Sequence, residues 1–247
     1  LTAEMLEGST LASLVVALNN AASKDTDSAE EVLSAALLVL IGIQSQLDLS
    51  LVAPDIEGLL KAVCHVVAAK PGLVGPVKLV LELLTRIVRA GNPALNIAFE
   101  GGAVAASVMA MQSHPGAGDV AALAAKLLAA VSGVQPLAVV QQGGVKALVH
   151  LLSTSGTRAN FAAAVGAAVE TFAHCLDSSQ SVAVLKEEGV SGVTLLAMSV
   201  LSSDLQVRAL GGTVLSMTLT PADVLAFNDA VIPALKSSSS PARALLA

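Results

Sequence analysis

Apolar residues along this chain recur at helical rather than strand spacing. Val145, Leu148, Val149 and Leu152 stand at i, i+3, i+4 and i+7, one apolar stripe of a helix. Ahead of them, "PLAVVQQ" at 136–142 reads as a short helix opened by Pro136, whose missing N–H costs nothing in a first turn. Gly143 and Gly144 stop it, because glycine reaches the left-handed conformation that a helix end needs. "STSGT" at 153–157 breaks the second helix. "RANFAAAVGAAVETFAHCL" at 158–176 then predicts a longer third helix with apolar residues on nearly every face. A short helix, a corner and two antiparallel helices form one unit. It cannot bury its own faces alone, so it must stack on neighbours.

The unit recurs. Gly8, Asp55, Gly102, Gly144, Gly189 and Ala230 each precede an apolar helical run, at steps of 47, 47, 42, 45 and 41 residues. The third helices are more regular still. Near their ends the equivalent positions are Gly42, Arg86, Ala130, His174 and Ser216, at steps of 44, 44, 44 and 42. One turn earlier stand Leu38, Glu82, Lys126, Glu170 and Gly212. A period in the forties is the signature of stacked helical repeats. The pattern predicts an all-α solenoid of five to six units, forming one domain over residues 1–238. Its first and last units should be atypical, as solenoid caps are. "SSSSPAR" at 237–243 leads into a polar tail, read as flexible over residues 239–247.

Here the sequence resembles a known family. "QQGGVKALVHLLSTSG" at 141–156 is similar to the second helix of an armadillo repeat, with a glycine corner followed by an x-Ala-Leu-Val-x-Leu-Leu pattern. "NDAVIPALKSS" at 228–238 resembles the same motif in a truncated final unit, and "FEGGAVAASVMAM" and "EEGVSGVTLLAM" are looser copies. HEAT repeats share the period but lack the short first helix and its glycine corner. The resemblance implies a right-handed superhelix whose third helices line a concave groove that takes a partner protein. In the family a recurring Asn near the third-helix end clamps an extended peptide, since a carboxamide donates and accepts at once. The matching positions here, Gly42, Arg86, Ala130, His174 and Ser216, hold no Asn, and the chain has no Trp. A groove of the nuclear-import type is therefore not expected.

Composition narrows the picture further. Hydrophobic residues make up 54% of the 247 positions and charged residues 13%, so most helices should be buried on more than one side. Val32 to Ile43 is the longest apolar stretch, broken only by Ser34 and Gly42. It falls short of the roughly 20 residues that span a bilayer and reads as a buried core helix. No transmembrane segment is expected, and peripheral membrane association would need residues outside this chain. The net charge of −6, with 13 scattered basic residues, argues against nucleic acid as a partner. Two distant cysteines, Cys64 and Cys175, suggest a reducing compartment and a cytoplasmic location.

Candidate chemistry is sparse. A nucleotide-binding Gly-x-x-x-x-Gly-Lys-Ser/Thr run is missing, and "GGVK" at 143–146 follows a helix rather than a strand. The glycines therefore read as corners, not phosphate cradles. Cys64 with His65, and His174 with Cys175, are sequence neighbours; on a helix such neighbours diverge by about 100° and do not chelate one ion together. No metal, cofactor or catalytic residues are expected. What remains is a polar row on the third helices. Glu82, Lys126 and Glu170 recur every 44 residues, with Arg86 and His174 one turn on and Ser216 in the last unit. These six are the candidate partner-binding residues of a non-enzymatic scaffold or adaptor. Lateral ion pairing from rung to rung is the plainer account of the same row. A structural assembly element, as in a cilium or an organelle-positioning complex, and a HEAT-like regulatory subunit are the alternatives.

Overall fold

A computed structural model of the chain describes residues 8–24, 28–44, 54–89, 99–100, 102–221 and 225. Among them the fold is all-α, with twelve α-helices and no strand. The helices are α1 (Gly8–Ser23), α2 (Ala29–Gln44), α3 (Pro54–Ala69), α4 (Val74–Arg89), α5 (Ala103–Ser113) and α6 (Gly118–Ser132). They continue as α7 (Pro136–Gln141), α8 (Gly144–Ser155), α9 (Ala162–His174), α10 (Ser179–Glu187), α11 (Val190–Val200) and α12 (Leu205–Thr218). The truncated unit at 228–238 and the tail at 239–247 lie outside the described residues.

The arrangement is repeat-like. Helices α2, α4, α6, α9 and α12 begin at residues 29, 74, 118, 162 and 205, which are 45, 44, 44 and 43 residues apart. Each packs against the next of this set, and α1, α3, α5, α8 and α11 pack successively in a second row. Each second-row helix also packs on the following helix of the first row, so two layers share one interior. Short helices α7 and α10 precede α8 and α11, the first of them where "PLAVVQQ" predicts it.

Three corners use glycine in the left-handed region: Gly102 at φ +99°, Gly143 at +78° and Gly189 at +71°. Each sits immediately before a second-row helix. The pair at 143–144 divides two tasks. Gly143 supplies the positive φ, whereas Gly144 supplies closeness, because a Cβ there would stand 2.7 Å from Val139 Cγ1 and 3.3 Å from Leu128 Cδ2. Two helices start instead on a side-chain cap. Ser178 Oγ accepts from the Ser181 N–H ahead of α10, and Asp204 Oδ1 accepts from the Gln206 and Val207 N–H groups ahead of α12.

One hydrophobic cluster runs without interruption from Leu18 to Val214. Four of the buried polar side chains are satisfied within their own helix. Thr85, Ser107, Thr171 and Thr218 each donate their hydroxyl to the carbonyl four residues earlier in their own helix. Alanine sets the spacing where packing is densest. The most extensive helix pair is α6 with α9, and both present buried alanines, Ala121, Ala124 and Ala125 against Ala164, Ala167 and Ala168.

The stretch from Val32 to Ile43 is less buried than its composition predicts. Helix α2 buries Leu33, Ala36, Leu37 and Leu40, yet Val32, Leu38 and Val39 are 45%, 57% and 51% exposed. The cause is position: α2 is the first helix of its row among the described residues, so one flank has no neighbour in that row. Residues 159–177, which comprise α9 and the 3-10 turns that flank it, have the length and mean hydropathy of a membrane-crossing helix. Half of that stretch is buried here against α6, α8, α11 and α12.

Candidate functional site

The first-row helices carry the candidate residues in register. Glu82, Lys126 and Glu170 each lie eight residues after the first residue of their helices, at 74, 118 and 162. Arg86, Ala130 and His174 each lie twelve after it. Register drifts by one at the ends, where Gly42 lies thirteen and Ser216 eleven residues in. Since these helices pack side by side, one polar side chain per helix falls at the same level.

The row is not stitched together by ion pairs. Arg86 Nη2 instead donates to Glu82 Oε1 at 2.6 Å, along its own helix at i, i+4. Both side chains remain about half exposed, so the pair is worth roughly 0–1 kcal/mol. Among the described residues Lys126 and Glu170 have no ion-pair partner. Ser216 is exposed and donates to the Thr213 carbonyl at 2.8 Å within α12.

His174 plays a part that spacing alone does not reveal. It is half-buried at the end of α9, and its Nδ1 lies 3.1 Å from the Ala129 carbonyl and 3.0 Å from Ser132 Oγ, both in the last turn of α6. A carbonyl only accepts, so Nδ1 carries the proton and donates. Ser132 Oγ donates to the same Ala129 carbonyl at 2.9 Å. An imidazole and a hydroxyl thus join the Gly133 N–H, at 3.2 Å, on one carbonyl in the last turn of α6. One face of His174 is committed to holding α9 against α6.

A lateral ion pair does exist, nearer the other end of these helices. Lys78 Nζ of α4 meets Asp119 Oδ2 in the first turn of α6 at 2.6 Å. The Lys78 ammonium, and then the Val120 N–H, hold the Asp119 carboxyl below its ordinary range. Asp119 stands in the first turn of its helix, where a carboxylate is favoured, and its partner lies on the preceding first-row helix. The signal is the 41-residue separation, three short of the repeat step, which puts the two charges on adjacent helices.

The cysteines are packed, not poised. Burial pushes both the Cys64 and the Cys175 thiol up to about 12, with nearby Asp177 adding to the shift at Cys175. The Cys175 thiol donates to the Pro136 carbonyl at 3.7 Å. Both are free, and among the described residues no three His, Cys, Asp or Glu side chains gather in a way that could hold a metal ion.

Two clefts open on the other layer, between successive second-row helices. One lies between α5 and α8, with a volume of about 440 Å³. The other lies between α3 and α5, at about 250 Å³. Neither is legible in the sequence, because a cleft between helices 40 residues apart has no local sequence signature.

No protein-family model matches the chain, and comparison with curated protein sequences finds no match. Among solved structures, a crystal structure of an engineered protein from a structural genomics consortium is similar in fold. It aligns at a TM-score of 0.50 over 85% of this chain and 96% of its own, with 17% sequence identity. That likeness concerns the fold alone.

Proposed function

We propose that the chain is a non-catalytic protein-binding scaffold, built as a right-handed armadillo-type solenoid, whose first-row helices receive a partner protein. One observation carries the reading. Glu82, Lys126 and Glu170 recur at one level of adjacent helices, and Lys126 and Glu170 have no ion-pair partner among the described residues. Charges set at regular intervals along an alanine-rich stack, and not spent on one another, suit a peptide or helix laid across the row. The 44-residue step, the glycine corners and the three-helix units around α7–α9 and α10–α12 support the armadillo assignment. The two free, distant cysteines fit a cytoplasmic setting.

The test is affinity capture from the source cells with wild type and with Glu82→Lys/Glu170→Lys, after circular dichroism shows equal helix content. Selective loss of one captured protein from the double variant supports the reading. An unchanged set of captured proteins refutes a role for this row.

A second reading, assembly through the ends of the stack, has its own support. Most of the large exposed aliphatic side chains stand on the outermost described helices, Val16, Val32, Leu38 and Val39 on α1 and α2 and Leu205 and Met217 on α12, with Val74 and Val134 exposed between them. Sedimentation at increasing concentration separates the two. Assembly predicts a rising mass that Val39→Glu abolishes, whereas a scaffold alone keeps one mass.

A further inference from the structure

We infer that the cleft between α5 and α8 is a binding site for a small amphipathic carboxylate, with an alkyl body the size of a medium-chain fatty acid. Its volume, about 440 Å³, falls in the range of small-ligand sites, roughly 300–1,000 Å³. Val108 and Met111 of α5 face Ala147 and Leu151 of α8 across it. These walls are aliphatic, and a methionine adapts its shape to a flexible chain. Among the described residues no Phe, Tyr or Trp lines the cleft, so an alkyl body suits it better than a planar one that needs stacking.

Polarity at the rim fixes the sign of the ligand. Lys146 and His150 stand four residues apart on α8, hence on one side of it, and both are exposed. Among the described residues no carboxylate lines the cleft and Lys146 has no ion-pair partner. In a chain of net charge −6 such a rim is locally anomalous, and an anionic headgroup complements it.

The neighbouring cleft supplies an internal contrast. Between α3 and α5, Lys61 and His65 are likewise four residues apart, beside Met109. There, however, Glu57 already holds Lys61 in an i, i+4 ion pair, and the volume is about 250 Å³. A cation already neutralised above a smaller space attracts the same ligand less. Two sister clefts therefore differ in the two properties the inference depends on. Both belong to the second row of helices, so the site stands or falls independently of partner binding to the first row.

The probe is octanoate, titrated into the full chain carrying 13C-methyl methionine; with five methionines, the spectrum is simple to assign. Octanoate should shift the Met111 methyl saturably and leave that of Met198 in α11 in place. Octylammonium, with the same body and opposite charge, should not bind there. Lys146→Glu should weaken octanoate binding about tenfold, by trading one attraction for a repulsion, while Lys61→Glu leaves it unchanged. Both lysines are exposed, so neither variant disturbs the core. Equal binding of octanoate and octylammonium, an unaffected Lys146→Glu, or no saturable Met111 shift would each overturn the assignment.

Discussion

Replacing the two glycines at 143–144 one at a time should separate two physical causes of the same corner. Gly143 has φ +78° and open space around it, since a Cβ there would meet nothing within 4 Å. Alanine at 143 therefore suffers only the left-handed backbone cost, about 1–2 kcal/mol. Against this, the stiffer unfolded chain returns about 0.4–1 kcal/mol. The net loss is at most about 1.6 kcal/mol and centred at about 0.8, or up to about 6 °C in Tm for a chain of this size. Gly144 has no positive φ but little room. Its added Cβ would stand 2.7 Å from Val139 Cγ1, 3.0 Å from the Val139 carbonyl and 3.3 Å from Leu128 Cδ2. Val139 and Leu128 are fully buried, so neither can swing aside into solvent. Overpacking of this kind costs about 1–3 kcal/mol. The discriminating variant is asparagine, which tolerates the left-handed region. Gly143→Asn should recover at least half of the alanine loss, whereas Gly144→Asn should be worse than Gly144→Ala. Thermal unfolding followed by far-UV circular dichroism measures all four. If alanine and asparagine cost the same at 143, or if Gly144→Ala is neutral, the division of labour proposed for this corner is wrong.

Four further outcomes follow from named contacts. Thiols raised from 9.0 to about 12 should be about a thousandfold less ionised at pH 8 than in the unfolded chain, so alkylation of Cys64 and Cys175 should slow by a similar factor on folding. Because these folded-state values lie above the unfolded one, their contribution to stability is intact below pH 9.0 and declines as pH rises from there towards about 12, which denaturant titration across that window reads directly. His174→Ala should cost about 1–2 kcal/mol through the lost link to the Ala129 carbonyl, and Ser132→Ala less, since the imidazole still covers that acceptor. A double-mutant cycle on Lys78 and Asp119 should give less than about 1 kcal/mol at neutral pH, screened by salt. That coupling is present above pH 3.8 and fades as pH falls through the depressed value of Asp119.

Legibility in the sequence tracks how local each cause is. The corner at 143–144 and the proline start of α7 depend on adjacent residues and are read correctly from the chain, whereas α8 runs through Ser155, into the "STSGT" read as its break. The 44-residue step is equally plain, because stacking imposes one length on every unit. What escapes is whatever joins two units. Lys78 finds Asp119 across helices, Arg86 turns along its own helix to Glu82, and His174 reaches back to the end of α6. Spacing puts all of them at suitable heights, but side-chain reach decides which partner wins. Solvent exposure of Val32, Leu38 and Val39 is missed for a similar reason: the composition of α2 is that of an interior helix, and only its place at the end of a row uncovers it.

The central claim, that a partner lies across the first-row helices, is met most directly by hydrogen exchange on the complex with a captured partner. Amides of α4, α6 and α9 should gain protection on binding, most of all in the turns that carry Glu82, Lys126 and Glu170. Protection confined to α1, α2 and α12, with α4, α6 and α9 exchanging as in the free chain, would contradict it and place the interface at the ends of the stack.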